Sequence, residues 1–269
     1  MGRAVAPPDK MFEIQPPQLI HQIRYRSSGS QGPRNLTLPV LTVRYRAEGL
    51  ANPAFIVTAD LQGRECGSSN RLIGEYVADE IAILQEIGEL PTFELCLLCG
   101  DFYDYPDLRK LGGTGDVTSA INALSRLAPQ TMVVLGNHDT IASEQLVPTV
   151  KILDGDIVET EAFTIGGVSG VVGNPRRNNR KLEADFMQAI DRCSNSRVDL
   201  LLLHQGPRGA TEQDLGLSLI NQHLVKRSEL MVFFGHCHWQ EPFHHEHRNL
   251  FCNVDARIIA FLPDTDKGQ

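Results

Sequence analysis

The sequence predicts an α/β fold in which buried strands are covered by helices. Three observations lead there. From residue 51 onward, short apolar runs alternate with helical stripes. The runs are apolar without interruption, as strands buried on both faces require. Five of them end in a polar turn.

The elements come in order along the chain. Residues 1–50 read as an appendage punctuated by Pro7-Pro8, Pro16-Pro17, Ser27–Ser30 and Gly32-Pro33. Within it, the alternating segments Ile20–Arg26 and Leu41–Arg46 predict a hairpin on the edge of the main sheet. Residues 51–269 form the main domain. The run Phe55–Ala59 leads into a helical stripe, Leu72, Tyr76, Val77, Ile81 and Leu84, closed by Gly88. Leu95–Cys99 is the next strand, and Asp116 caps a helix carrying Val117, Ile121 and Leu124. Met132–Leu135 is the third run. Residues 157–172 read as strands broken by Gly166, Gly167 and Gly170. Leu182, Phe186, Ala189 and Ile190 mark a helix before Leu200–Leu203. Leu215, Leu219, Ile220 and Leu224 mark another before Met231–Phe234. Leu250–Val254 and Ile258–Leu262 are expected to pair with each other.

Composition narrows the class. The 269 residues are 42% apolar and 22% charged, which excludes a collagen, a coiled coil and a mostly disordered chain. Apolar runs such as Leu230–Phe234 are far short of a bilayer span, so no membrane association is expected. No charged segment followed by an apolar one opens the chain, and a cytoplasmic location is expected. Six cysteines in a chain this long do not form a disulfide framework. Cys96 and Cys99 sit on opposite faces of a strand and are expected to stay free. Net charge is −8. Residues 1–50 hold seven basic and three acidic residues, hence +4, which leaves −12 for the rest. An acidic body argues against a nucleic-acid partner and supplies carboxylates for cations.

The chemistry lies at the strand ends. Phe55–Ala59 is followed by Asp60-Leu61-Gln62-Gly63, and Leu95–Cys99 by Gly100-Asp101-Phe102-Tyr103-Asp104. Met132–Leu135 is followed by Gly136-Asn137-His138-Asp139, Leu200–Leu203 by His204, and Met231–Phe234 by Gly235-His236-Cys237-His238. Each residue alone can serve a turn or a hydrogen bond. Five strand ends carrying Asp, Asn and His at the edge where α/β proteins place their sites point to a divalent-metal centre.

This order, D-x-(H), G-D-x-x-D, G-N-H-D, a lone H and G-H-x-H, resembles the calcineurin-like metallophosphoesterase superfamily over about residues 54–262. The resemblance implies a four-layer sandwich of two mixed β-sheets flanked by helices. It implies a two-metal hydrolase of phosphoesters, whose ions acidify a water and clamp phosphoryl oxygens. Carried onto this chain, Asp101 would bridge both ions, Asp60 and His238 would hold the first, and Asn137, His204 and His236 the second. His138 would stabilise the phosphate and protonate the leaving oxygen, with Asp104 orienting it. The chain departs from the pattern at Gln62, where the family has His. An amide oxygen there suits Mn²⁺ or Mg²⁺ better than Zn²⁺. The D-x-Q form is similar to enzymes like the manganese-dependent ADP-ribose/CDP-alcohol diphosphatase. Asp104-Tyr105-Pro106 and Asp139 depart from the protein Ser/Thr phosphatases of the superfamily.

The expected cofactors are two divalent ions, manganese ahead of magnesium, iron or zinc. The expected partner is a small phosphorylated substrate, with a phosphodiester or pyrophosphate bond and a nucleotide-like body among its candidates. The rival is a non-catalytic protein on the same fold with a degenerate first metal site. Arg176 and Arg177, in the loop Asn174–Lys181, are candidates to grip substrate phosphate. Gly112–Gly115 lacks the lysine of a phosphate loop and reads as flexible. His244, His245 and His247 are expected at an exposed hairpin tip, and Trp239 is expected to pack on the sheet edge.

Overall fold

The computed structural model describes residues 12–194, 198–226 and 229–264; the Pro7-Pro8 punctuation lies outside them. The chain runs through β1 (Phe12–Ile14), β2 (Gln18–Ser27), β3 (Arg34–Ala47), β4 (Phe55–Ala59), β5 (Arg64–Glu65) and α1 (Ile73–Glu86). Next come β6 (Leu95–Leu98), β7 (Gly115–Asp116), α2 (Thr118–Leu124), β8 (Gln130–Val133), β9 (Asp139–Thr140), β10 (Val150–Ile152), β11 (Asp156–Glu159) and β12 (Thr164–Val168). The last elements are β13 (Val171–Val172), β14 (Arg180–Lys181), α3 (Glu183–Cys193), β15 (Leu200–Gln205), α4 (Ser218–Leu224), β16 (Met231–Gly235), β17 (Phe243–Glu246), β18 (Asn249–Asn253) and β19 (Arg257–Pro263).

Two mixed sheets face each other. The nine-stranded sheet has the order β10-β8-β6-β4-β19-β3-β2-β5, with β1 on β3, and the six-stranded sheet the order β11-β12-β15-β16-β18-β17. Alternation along each strand divides its side chains between two layers. Phe55, Val57, Leu95 and Leu97 meet Leu200, Leu202, Met231 and Phe233 between the sheets. Ile56, Cys96 and Leu98 instead meet Ile73, Val77, Ile81 and Ile121 of α1 and α2. Leu201, Leu203, Val232 and Phe234 meet Phe186, Ile190, Ile220 and Leu224 of α3 and α4. The result is the expected four-layer α/β sandwich. Cys96 and Cys99 fall in different layers, both free.

An aromatic knot fixes the inner layer. Phe55 stacks on Phe261 at 4.7 Å and meets Tyr45, Phe163 and Phe233 edge-on. Each such buried ring contributes about 1.5–3 kcal/mol by removal of apolar surface from water.

Most helices begin and end where the sequence puts them. Gly88 closes α1 with φ +81°. Asp116 Oδ1 accepts the Thr118 N–H at 2.9 Å and so caps α2. Leu215, by contrast, precedes α4 and is exposed. Trp239 packs edge-on against Phe234 at 4.8 Å, and its Nε1–H donates to Leu215 O.

Two expectations need correction. The runs Leu250–Val254 and Ile258–Leu262 do not pair with each other. β18 lies in the smaller sheet beside β16, whereas β19 crosses to the larger sheet and inserts between β4 and β3. The crossing is made at Val254–Ala256, where Ala256 turns with φ +50°. Strands buried on both faces look the same in either sheet, so apolar content alone could not choose the partner. The segment before residue 50 is also more than an appendage in its packing. β2 and β3 do form a hairpin, but residues 21–26 pair with 35–40 rather than with Leu41–Arg46, whose Val43 and Tyr45 enter the inter-sheet core while β3 is laddered to β19.

No helix among the described residues is long and apolar enough to cross a membrane.

Candidate metal centre

Parallel β4, β6 and β8 end at one edge of the larger sheet, and β15 and β16 end beside them in the smaller one. At three of these ends the chain turns through a left-handed residue that is not glycine: Asp60 (φ +55°), Asp101 (φ +60°) and His236 (φ +69°). Each costs on the order of 1 kcal/mol or more, and such strain concentrates at functional sites. The motif glycines allow the strand ends to touch. A Cβ on Gly136 would fall 1.9 Å from Asp101 Oδ1, and one on Gly235 would fall 2.0 Å from Asp60 Oδ2.

Asp101 is the hub. Its Oδ1 accepts the His138 N–H at 2.9 Å, and its Oδ2 accepts from Gln62 Nε2 at 3.4 Å and stands 3.3 Å from His204 Nε2. His204 is fully buried, and its Nδ1–H donates to Cys99 O at 2.8 Å, which leaves Nε2 to face Asp101. Donor atoms of Asp101, His204 and His236 lie within 4.8 Å of one another. Ligands held about 2.0–2.4 Å from one ion fall within that span. Asp60 Oδ2 accepts the His236 N–H at 2.9 Å.

Two buried atoms support a cation here. Asn137 Oδ1 has no hydrogen-bond partner, and His204 Nε2 has only the Asp101 carboxylate, 3.3 Å away. A buried polar atom without a partner costs about 1–3 kcal/mol, and a divalent ion is a partner both can accept. The charges agree. Burial, then the adjacent Asp255 carboxylate, raises the Asp60 pKa well above the carboxylate range. Burial alone would lower His204, but Asp101 beside it carries its pKa up to about 10. Burial and then the His204 charge push His236 down to about 4. Protons and internal charge thus balance a set of carboxylates that an ion would balance better. Asp101, His204 and His236 fit one divalent ion.

The remaining expected residues divide. His138 is half-buried, with Nδ1 unpartnered and Gly112 against its ring: a Cβ there would lie 3.3 Å from Cε1. The Gly112–Gly115 loop therefore packs against His138. Asp104 does not hold His138 by a hydrogen bond among the described residues. Its Oδ2 accepts the Ser28 N–H at 3.0 Å and its Oδ1 the Tyr105 N–H at 2.8 Å. A carboxylate at a tight turn is satisfied by the nearest backbone donors. His238 stands apart. Its side chain is 58% exposed, with Nδ1 3.4 Å from Asp255 Oδ1 and Nε2 3.0 Å from the Arg257 guanidinium. Arg176 and Arg177 are exposed in their loop, while Arg180 is close enough for its charge to depress His236. His244, His245 and His247 belong to the β17–β18 hairpin and join no metal cluster among the described residues.

Sequence reasoning passed over several supporting residues. Asp139 Oδ2 accepts from Asp101 N and Gly136 N, and its Oδ1 from Phe102 N, which locks two motif loops together. Burial and the Asp101 charge lift its pKa to about 6. Its place as the last residue of G-N-H-D was the available signal. The Asn178 and Asn179 amides donate to the carbonyls of Gly136, Asn137 and Asp139 and tie the basic loop to the same turn. Asp255 carried no signal, because it reaches Asp60 only through the β19 crossing.

If the Arg180 charge that is felt at His236 also meets substrate phosphate, Arg180→Ala should raise KM about tenfold with kcat little changed. That is the loss of one charge-assisted contact to phosphate. Arg176→Ala with Arg177→Ala should move KM less, and steady-state kinetics on one phosphodiester decides between the two.

The solved structures similar to this chain include a phosphopantetheinyl hydrolase from Mycobacterium tuberculosis. It is 12% identical, with a TM-score of 0.48, over 81% of this chain and 99% of that one. Another is a protein of unknown function, AQ665, from Aquifex aeolicus, 13% identical with a TM-score of 0.34, over 77% of this chain and 95% of that one. A search of curated proteins finds no match. The family description "calcineurin-like phosphoesterase" matches residues 53–250, a stretch that contains every strand end described above, and on that match the chain belongs to the calcineurin-like phosphoesterase family.

Proposed function

We propose that this chain hydrolyses a phosphodiester or pyrophosphate bond of a small molecule, a nucleotide-like one among the candidates, with two divalent ions and manganese preferred. The observation that carries this reading is the gathering of donor atoms of Asp101, His204 and His236 within 4.8 Å of one another. Asp101, Asn137, His204 and His236 would hold one ion; Asp60, Gln62, Asp101 and His238 would hold the other. When bound, the ions lower the pKa of water and neutralise phosphoryl charge.

The chain's own residues do the rest. His138, anchored through its N–H to Asp101, would protonate the leaving oxygen. Arg180 offers a guanidinium to a non-bridging oxygen. Asp139 holds the Asp101 and His138 loops at fixed spacing, so the donors are in place before substrate arrives. Gln62 supports the manganese preference, as in the D-x-Q enzymes that this motif resembles. Its NH₂ donates to Asp101, so its amide oxygen is the atom left for an ion.

A binding protein with a degenerate first site draws on one observation, the separation of His238 from the rest. A single experiment tests both readings. The protein is stripped of metal, titrated with Mn²⁺, Mg²⁺ or Zn²⁺, and assayed on bis(p-nitrophenyl) phosphate. Two sites of unequal affinity and highest turnover in Mn²⁺ are expected, with one ion lost first on chelation. Gln62→His should tighten the weaker site and shift preference toward Zn²⁺. If both proteins bind a single ion and neither hydrolyses the diester in Mn²⁺, the binding reading holds instead.

A further inference from the structure

β3 is fourteen residues long, yet its ladder with β19 begins only at Val40 opposite Ile258, so residues 34–39 overhang. β19 runs antiparallel to β4, with Arg257 opposite Ala59, so it starts at the metal edge. The overhang therefore projects roughly 20 Å past that edge, at about 3.3 Å per residue. β2 runs beside it, with Tyr25 opposite Leu36 and Arg24 opposite Thr37.

The overhang is fastened to the site. Ser28 N–H donates to Asp104 Oδ2, and the Arg64 guanidinium donates to Asp104 O. The Tyr25 ring lies against Gly63, where a Cβ would come within 2.6 Å of it. Both metal-site loops, after β4 and after β6, thus grip the hairpin.

Between this wall and the segment after β16 opens a groove of about 500 Å³. Tyr25, Leu36, Thr37 and Pro39 line one side, His238 and Arg257 the other. A second cavity of about 680 Å³ continues it along Tyr25, Leu36 and Thr37 to Arg24. Among the described residues no carboxylate lines either cavity, in a chain of net charge −8. At its metal end stand His238 and Arg257, with Asp255 3.4 Å from the His238 ring; Pro17, Leu36, Pro39, Leu41 and Pro242 line the first groove beyond them, and only the second cavity ends on polar side chains, Arg24 and Asn35. Tyr25, the groove's one phenolic ring, is buried, so the wall itself offers no open aromatic face for a base to stack on.

Building on the proposed function, we propose that the β2–β3 overhang is a specificity wall. It takes an extended, uncharged and largely apolar substituent esterified to the scissile phosphate. The phosphate end lies by His238 and Arg257, and the chain runs along Leu36, Thr37 and Pro39.

The test uses the full chain loaded with Mn²⁺. Calorimetry with methyl, butyl and octyl methylphosphonate should show Kd falling at least about tenfold from methyl to octyl, the gain expected for even a few buried methylenes. Thr37 is exposed, so Thr37→Asp and Thr37→Trp should both fold. Each should flatten the gradient and leave the methyl compound unaffected, one by charging the groove and the other by filling it. A Kd independent of chain length in the wild type overturns the proposal. So does a gradient that survives both substitutions, or tighter binding of a nucleoside methylphosphonate than of the octyl ester. Turnover of methyl p-nitrophenyl phosphate is measured alongside. Its absence in every metal rejects the phosphoesterase reading, while the binding gradient still decides the groove.

Discussion

Asp101→Asn is expected to lose metal and activity together. Asp101 is 3% exposed, and both its oxygens are committed, Oδ1 to the His138 N–H and Oδ2 to the face shared by Gln62 and His204. An asparagine keeps the shape but removes the charge. Its NH₂ must point either at the His138 N–H or at the ion, and both are positive partners. Metal affinity should fall by at least about a hundredfold, since even the loss of a group behind a metal ligand costs roughly 10–100-fold. Turnover should fall to background. Metal content by mass spectrometry and hydrolysis of bis(p-nitrophenyl) phosphate are read together, with a melting curve to show that the variant folds. An Asp101→Asn protein with two ions and normal turnover would end the two-metal reading.

Much of this centre is legible in the sequence because its residues directly succeed strands that the apolar runs reveal. A buried strand must end at the surface, so the residues next in sequence are also next in space. Asp60, Asp101, Asn137, His204 and His236 are read in that way, and the structure brings them to one edge. Local rules also serve Gly88, Asp116 and Trp239, whose roles depend on residues close in the chain or on a single face.

The features that escape depend on pairing across long separations. β18 and β19 are both buried strands, and nothing in their composition says that the chain changes sheets between them. That change carries Asp255 to Asp60 and Arg257 to His238, so the surroundings of His238 are hidden as well. The overhang of β3 is hidden for a related reason. Its length shows as alternation, but its offset from β19 is a register, fixed by the packing of Val43 and Tyr45 between the sheets. Asp104 keeps its motif in spacing and differs in partner. The Ser28 N–H that it accepts comes from a hairpin outside residues 53–250, the stretch that the family description matches.

His138→Ala separates chemistry from metal binding. The His138 backbone N–H, which survives the substitution, is the group that contacts Asp101, and the side chain is absent from the cluster of Asp101, His204 and His236. Both ions should therefore remain. The ring Nδ1 is buried without a partner, and the Gly112 loop packs against Cε1, so the imidazole is held in place with a nitrogen uncommitted. Its loss should lower kcat by roughly a hundredfold or more, the range for a positioned acid. The size of the defect should depend on the leaving group. A p-nitrophenolate departs without a proton and should lose little, whereas an alkoxide needs the proton and should lose most of its rate. Comparing wild type and variant on an aryl and an alkyl diester of the same phosphate measures that difference directly. An equal loss on both would make His138 a stabiliser of phosphoryl charge alone. A missing ion in the variant would make it a ligand, and the division of roles among these strand ends would have to be redrawn.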